Sequence, residues 1–307
     1  MNVYEPLIMV VLTIAGFMLS RWGSKYGDIF INASNSYLFY VAVPAILVIK
    51  IGFTQISYIF AILMLISSLH IILMLVTSFL LFRPLAEPIT ALSASLSLSM
   101  PNSAYLAIPL ALILWGDSIY VLPYMIAFNI ILPFLTMFLA YITARRMHEK
   151  SVYFKSLPVL IGFALALIAR ILYDAEYGDS TTIVNCIDNL ISYSFYLSFI
   201  VIGGSIGKLS MKVLKNDIKI VATSCIIKYI LSPLLMLLLS FLLLNNFNTS
   251  NNLYIHGLIL QSIMPPAVIN IVLGKVFHLN EELITILLIL LTPISIALSL
   301  AVWNILI

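Results

Sequence analysis

Charge is the scarcest property of this sequence: Asp, Glu, Lys and Arg make up 9% of its 307 residues, against about 25% in a soluble globular domain. So small a supply cannot cover a water-facing surface, which excludes a soluble fold. The net charge is only +3, and the basic residues are scattered over several loops, so no nucleic-acid partner is expected. Cysteine is equally sparse. Cys186 and Cys225 are the two present; both lie in or beside apolar segments without metal-ligand spacing and read as packing residues. There is no His/Cys/carboxylate cluster, no Gly-Lys-Ser/Thr phosphate loop and no loop long enough for a catalytic domain. The sequence therefore gives no reason to expect an enzyme, a metal or a cofactor.

What the chain has in abundance is apolar side chains, 63% of the total, with a mean hydropathy of +1.14. Crossing a ~30 Å hydrocarbon core takes about 20 apolar residues as helix. Strand-length alternation is missing, which argues against an outer-membrane barrel. The lipid bilayer is thus the first partner, and the fold class expected is an all-α polytopic membrane protein. Hydropathy and loop punctuation place ten spans at 5–20, 29–51, 57–82, 88–115, 119–144, 156–173, 186–207, 217–244, 253–276 and 282–306.

Loop charge orients these spans. The loops after spans one, three, five, seven and nine carry Arg21 and Lys25; Arg83; Arg145, Arg146, Lys150 and Lys155; Lys208, Lys212, Lys215 and Lys219; and Lys275, which is 12 of the 15 basic residues. The opposite side holds Lys50 and Arg170, together with Glu5, Asp117, Asp174, Glu176 and Asp179. By the positive-inside rule both termini are extracellular, in a multi-pass protein of the cell membrane. The first span is preceded by Glu5 rather than a basic region and reads as a retained helix, not a cleaved signal.

Ten spans divide at the basic loop into two halves, 1–150 and 151–307, and five spans per half force the halves into opposite orientations. Weak internal likeness agrees: Met100-Pro101, Gly116-Asp117 and Pro133 in the first half follow one another much as Met264-Pro265, Asn280-Glu281 and Pro293 do in the second. Leu73 to Leu81 also corresponds to Leu235 to Leu243.

Met100-Pro101-Asn102-Ser103 and Met264-Pro265-Pro266-Ala267 interrupt the fourth and ninth spans. Proline removes a donor and clashes with the carbonyl one turn earlier, and lipid cannot satisfy what is exposed. Broken helices at matching places in two inverted halves point to a midplane transport site. A helix that restarts after a break presents unpaired N–H groups and a positive dipole end, which suits a carboxylate. Pro101, Asn102, Ser103, Pro265, Pro266, Asn270 and Gln261 are the candidate substrate residues; the alternative for Asn102 and Asn270 is that their amides satisfy carbonyls freed by the breaks. Pro109, Pro123, Pro133 and Pro293 read as simple kinks.

Lys228 and His70 lie deep in the eighth and third spans. A charge there is costly unless paired or hydrated, so Lys228 is a candidate for proton exchange or for standing in for a coupling cation, the alternative being a tether to carbonyls at a helix break. His70 is a candidate coupling residue or a satisfied buried histidine. Asn35, Asp188 and Asn189 open the second and seventh spans and are candidates for a hydrated wall; Asn32 and Asn185 read as headgroup contacts. Apart from Glu5, Asp217 and Glu282, which stand at the first residue of their spans, Asp188 is the one acidic residue inside a span, near its outer end. That disfavours a cation antiporter, which needs acids at the crossover. Tyr37, Tyr40, Tyr105 and Tyr196 either line an aromatic substrate's path or sit at the interface.

The run Pro101-Asn102-Ser103-Ala104-Tyr105-Leu106-Ala107-Ile108-Pro109-Leu110 with Trp115-Gly116 resembles the fourth-helix pattern of the auxin efflux carrier (PIN-like) family. Met264 to Asn270 with Gly274-Lys275-Val276-Phe277 is similar to that family's second crossover helix, Lys228 to Leu234 to its eighth helix and Val43-Pro44-Ala45 to its second. The resemblance implies ten helices as a five-plus-five inverted repeat related to the bile acid:sodium symporters, with helices four and nine broken and crossing. Scaffold and transport domains would each be drawn from both repeats. It also implies export of a small organic anion, auxin-like or a short carboxylate, by an elevator movement; a homodimer is compatible with it. The long hydrophilic loop of plant members is replaced by about a dozen residues, so regulation by phosphorylation there is not expected. The rivals are a sodium-coupled organic-anion symporter of the bile acid type and a membrane sensor that binds an anion without moving it.

Overall fold

The computed structural model of the chain describes residues 4–22, 25–53, 57–116, 119–148, 150–175, 181–208, 218–244 and 252–306. These residues are helical almost throughout, with no strand among them. In chain order the elements are α1 (Tyr4–Arg21), α2 (Lys25–Tyr37), α3 (Val43–Gly52), α4 (Tyr58–Phe82), α5 (Pro88–Ser99), α6 (Ile108–Trp115), α7 (Leu122–Met147), α8 (Val152–Ala175), α9 (Thr181–Gly207), α10 (Ile218–Ile226), α11 (Ser232–Leu244), α12 (Asn252–Ser262), α13 (Ile269–Val276) and α14 (Glu281–Leu306). Three π turns, Leu38–Ala42, Ser103–Ala107 and Ile227–Leu231, join α2 to α3, lead into α6 and join α10 to α11.

Among the described residues six stretches are long and apolar enough to cross a membrane: Lys25–Ile49, Tyr58–Phe82, Leu122–Met147, Val152–Leu172, Ile218–Leu244 and Glu281–Ala301. The shortest has 21 residues, about 31 Å of helix. Val10–Arg21 and Tyr196–Gly207 are apolar but shorter. The stretches at 88–115 and 253–276 each divide into two helices, of 12 and 8 residues and of 11 and 8. Proline alone does not explain the division. Pro133, Pro158 and Pro293 pass inside α7, α8 and α14 without ending them, so a single proline is not sufficient; the two breaks persist because another partner takes over their backbone groups.

The chain forms two compact units, each drawn from both halves of the sequence: Met1–Gln55, Asn129–Leu209 and Ile271–His278 in the first, Ile56–Phe128, Ser210–Asn270 and Leu279–Ile307 in the second. In the first unit α1 packs along α9 and α3 along α8. Glycine sets both contacts. A Cβ on Gly16 would run into the carbonyl of Ile200, and one on Gly203 into that of Thr13; a Cβ on Gly162 would lie 2.6 Å from Pro44 Cα. Small residues at such seams let backbones close up where lipid offers no hydrophobic drive. At the end of α13 three consecutive carbonyls each take a side-chain donor: Val276 from Lys155 Nζ at 3.2 Å, Phe277 from Thr143 Oγ1 at 3.0 Å and His278 from Arg146 Nη1 at 3.2 Å. Asp28 and Lys208 form a half-exposed ion pair at 2.7 Å, which solvent screens.

In the second unit α4 packs on α5 and α11, α5 on α14 and α11 on α12. Helix α5 is buried all round although every second residue from Ser93 to Ser99 is serine. The hydroxyls of Ser93, Ser95 and Ser97 donate to the carbonyls of Ile89, Ala91 and Ser93, at 2.7, 2.6 and 2.9 Å. Their polarity is satisfied within the helix itself.

Gly203→Ala should lower the unfolding midpoint in detergent more than Gly116→Ala does. Gly116 has φ +72° but open space around it, so alanine there costs about 1 kcal/mol of backbone strain; at Gly203 the α1–α9 seam itself must open. Equal shifts in thermal unfolding of the two variants would remove the claim that this seam limits stability.

Candidate functional site

The site is assembled in the second unit from the two proline breaks. Helix α5 ends at Ser99, and Met100 turns out of helical geometry at φ −106°, ψ 84°. The chain resumes as a π turn: Ser103 N donates to Pro101 O at 2.8 Å and Ala107 N reaches back five residues to Asn102 O at 3.2 Å. At the other break α12 ends at Ser262 and α13 begins at Ile269, with Met264 N donating to Gln261 O at 3.2 Å and Asn270 N to Ala267 O at 3.0 Å.

The breaks pair with each other. Pro101 stands opposite Pro266 in an isolated antiparallel bridge; Asn102 N donates to Pro265 O at 2.7 Å and Ala267 N to Met100 O at 2.8 Å. Each proline lacks an N–H, so the residue after it supplies the donor and the residue before the opposing proline the acceptor. Two helix ends that would otherwise expose polar backbone close on one another.

That exchange leaves carbonyls one turn earlier without their usual partner, and side chains fill them. Leu98 O has lost Asn102 N to Pro265 and receives Lys228 Nζ at 3.1 Å. Ser262 O faces Pro266, which has no N–H, and receives Ser232 Oγ at 2.8 Å. Ile263 O has lost Ala267 N to Met100 and receives Ser295 Oγ at 2.7 Å. Met100 O takes a second donor, Asn270 Nδ2, at 2.9 Å. Lys228 lies in the π turn Ile227–Leu231 and Ser232 directly follows it, so one stretch of helix serves both breaks. Tyr229, between them, donates to Leu291 O at 2.7 Å and lies 3.0 Å from Ser295 Oγ.

His70, fully buried, completes the support. Its Nε2 lies 3.1 Å from Ser232 O, which can only accept, so Nε2 carries a proton; Nδ1 pairs with the Tyr124 hydroxyl at 2.9 Å. Both nitrogens are engaged, and the ring holds the turn that places Ser232.

Two fully buried amides use only half of their capacity. Asn270 Oδ1 and Gln261 Oε1 have no hydrogen-bond partner, while Asn270 Nδ2 is bound to Met100 O and Gln261 Nε2 to Val121 O at 3.2 Å. Asn102 is partly exposed, and Ser103 is buried with its hydroxyl donating to Pro101 O at 3.3 Å. Six of the sequence-derived residues, Pro101, Asn102, Ser103, Pro265, Pro266 and Asn270, therefore sit at the paired breaks. Gln261 is the last residue but one of α12, just before them, and Lys228 and His70 back them. Asn35 lies on α2 in the other unit, buried, with neither amide atom bonded. Asp188 and Asn189 are on α9, where their side chains fall outside the described residues, as do those of Cys186, Asn185 and Tyr105.

One expectation changes in detail. The first amides after the breaks were expected to be open to an anion, whereas those of Asn102, Ser103, Ala267 and Asn270 are spent on carbonyls. Positive potential at the paired breaks therefore comes from the dipoles of the restarting helices, and Lys228 Nζ stands beside them on the Leu98 carbonyl. Among the described buried residues Lys228 is accompanied by no Asp or Glu, and no group of three or more His, Cys, Asp or Glu among the described residues is placed to hold a metal. Ser232, Ser295, Tyr124 and Tyr229 were not singled out in the sequence. The one hint was spacing: Ser232 falls 162 residues after His70, the same offset that relates Leu73 to Leu235.

Ser232→Ala should cost about 1 to 3 kcal/mol, because it leaves the Ser262 carbonyl buried without a donor. Ser240→Ala should be close to neutral, since the Ser240 hydroxyl is buried without a partner. Denaturant unfolding of the two variants in the same detergent checks the contrast, and equal losses would contradict it.

The chain matches neither a model of a known protein family nor a curated protein.

Proposed function

We propose that the chain is a secondary transporter or uniporter of the auxin efflux carrier kind, exporting a small organic anion across the cell membrane by elevator-type alternating access. The observation that carries this reading is the direct pairing of two broken apolar helices, Asn102 N to Pro265 O and Ala267 N to Met100 O. In a bilayer such a structure has no value as mere architecture, since two unbroken helices would satisfy every backbone group at lower cost. Interrupted helices gather polar groups at membrane depth for a solute.

Ten spans in two inverted repeats of five, with the fourth and ninth crossing, are part of the proposal, and several details support it. The two bridge bonds are equivalents of one another under a two-fold axis through the Pro101–Pro266 pair. His70 and Ser232, at matching places in the third and eighth spans, touch each other, as residues beside such an axis must. The seams α1–α9 and α3–α8 are the same contact in a repeat that exchanges spans one with six and two with seven. Both compact units draw on both halves; the one that holds the breaks would be the moving element. Lys228 and the absence of a carboxylate among the described buried residues favour an anion over a cation. The orientation, with both termini extracellular, rests on the basic loops.

The unpartnered oxygens of Asn270 and Gln261 favour one alternative, a sodium-coupled symporter, because sodium requires oxygen ligands. A thermal-shift screen of aryl acetates and short mono- and dicarboxylates on the purified protein identifies ligands, since an acid that binds the folded form raises its apparent stability. Counterflow of the best acid in proteoliposomes, with and without sodium, then separates the readings: loss of transport on removing sodium rejects the uniporter. Saturable binding without flux would instead indicate a sensor.

Asn102→Ala should weaken acid binding by about tenfold, the value of roughly one hydrogen bond to a charged group, while Pro133→Ala leaves it nearly unchanged. Titration of both folded variants with the same acid checks this, and comparable losses would withdraw Asn102 from the substrate site.

A further inference from the structure

We infer that the first unit binds the phosphate of an anionic phospholipid where α7 and α13 end and α8 begins, with Arg146 and Lys155 as its ligands and the exposed apolar sides of α7 and α8 as the bed for its acyl chains. Nothing in this depends on the transporter reading.

The sequence between α7 and α8 supplies the charge: residues 145 to 155 carry Arg145, Arg146, Lys150 and Lys155 against a single acid, Glu149. Such a run is enough to orient a membrane protein, but cations serving only that purpose need no fixed position. Two of these are fixed. Lys155 Nζ donates to Val276 O at 3.2 Å and to His278 Nε2 at 3.3 Å, where the imidazole nitrogen must accept because an ammonium only donates. Arg146 Nη1 donates to His278 O at 3.2 Å. The two cations therefore sit on the carbonyls before and after that of Phe277, which itself receives Thr143 Oγ1.

These bonds use only part of each head. An ammonium has three N–H donors, of which Lys155 employs two, and a guanidinium has five, of which Arg146 employs one. All the acceptors are neutral, and among the described residues no carboxylate pairs with either cation. Arg146 is exposed and Lys155 half-buried, so the remaining donors can be reached from outside. A phosphate has the oxygens and the charge to take them.

The neighbouring apolar surface says what carries that phosphate. On α7, Phe134, Phe138 and Tyr141 are exposed on one face, which runs on to Arg145, whose Nη1 lies 3.5 Å from the Tyr141 hydroxyl. On α8, Phe154, Leu157, Ile161 and Leu165 form a second exposed stripe that begins beside Lys155; Phe154 is 73% exposed. The rings of Phe134 and Phe163 meet edge to face at 5.7 Å and bring the two helices together. Both helices are long and apolar enough to cross a membrane, so lipid covers these stripes whatever its kind. The cations at their polar end select the head group. An anionic lipid meets them with its charge uncompensated, whereas a zwitterionic one brings a cation of its own. Phosphate without chains would gain nothing from the stripes.

Lipid competition on the purified full chain tests this. In native mass spectra recorded from detergent containing equal amounts of dioleoyl phosphatidylglycerol and dioleoyl phosphatidylcholine, one lipid should be retained, with phosphatidylglycerol preferred about thirtyfold, the effect of two basic residues beside one phosphate. Lys155→Gln and Arg146→Gln should each reduce the preference about fivefold. Lys219→Gln, which removes an exposed cation of the second unit, should leave it unchanged. The wild-type ratio requires no variant, so it decides the matter should loss of the α13 bonds unfold the glutamine forms. A wild-type ratio near one would overturn the inference. So would an equal loss in Lys219→Gln, the mark of diffuse attraction, or displacement of phosphatidylglycerol by inorganic phosphate at the same concentration, the mark of a site for the free ion.

Discussion

A proline without an N–H, placed where lipid offers no substitute, is the constraint from which the rest of the second unit follows. Pro101 and Pro266 each deprive a helix of a donor, and the structure answers by letting the two interrupted backbones donate to each other. That answer displaces the deficit by one turn, to Leu98, Ser262 and Ile263. Lys228, Ser232 and Ser295 then settle it. The buried polar residues at the crossing thus form an ordered chain of obligations rather than a loose polar patch, and each can be traced to one missing hydrogen.

This chain also explains why the neighbouring helices have the character they do. The π turn at Ile227–Leu231 sets Lys228 and Ser232 on carbonyls from different breaks. π turns inside helices often occur at functional sites. His70, engaged at both ring nitrogens, holds Ser232 from behind together with Tyr124. Apolar packing around the crossing is supplied by Ala107, Leu110, Ala111, Val121, Leu260, Ile263 and Met264, which bury one another. The polar chain fixes the geometry while these side chains exclude water.

Sequence reading located the breaks because proline acts locally: Met100-Pro101-Asn102 and Met264-Pro265-Pro266 carry their meaning within three or four residues. The helical class was legible for the same reason that hydropathy works at all, since length and apolarity decide it. The number of spans is less well expressed, because a hydropathy window averages over a break and reads 88–115 as one segment where the backbone makes two helices. Single hydroxyls were not legible. Ser232 and Ser295 serve other helices, whereas Ser95, Ser97 and Ser224 bond to their own, and an isolated serine in an apolar run looks the same in both roles. Asn270 was recognised as important, yet which of its two polar atoms would be spent on Met100 and which left unbonded depends on a neighbour 170 residues away.

The serine-rich helix α5 has a mechanical property that follows from where its hydroxyls point. Three of them bond only to carbonyls of α5 itself, apart from the one bond that Ser93 Oγ accepts from Asn280 N at 2.9 Å. The hydroxyls of Ser95 and Ser97 are spent inside the helix, whereas Ser93 ties its first half to the start of α14 and Leu98 ties its last turn to Lys228. Sliding α5 along its neighbours would break both ties, so the helix is pinned near each end while its serine-lined middle can lie close to α4 without a bond to it, and any displacement of the paired breaks must carry α5 and the start of α14 together.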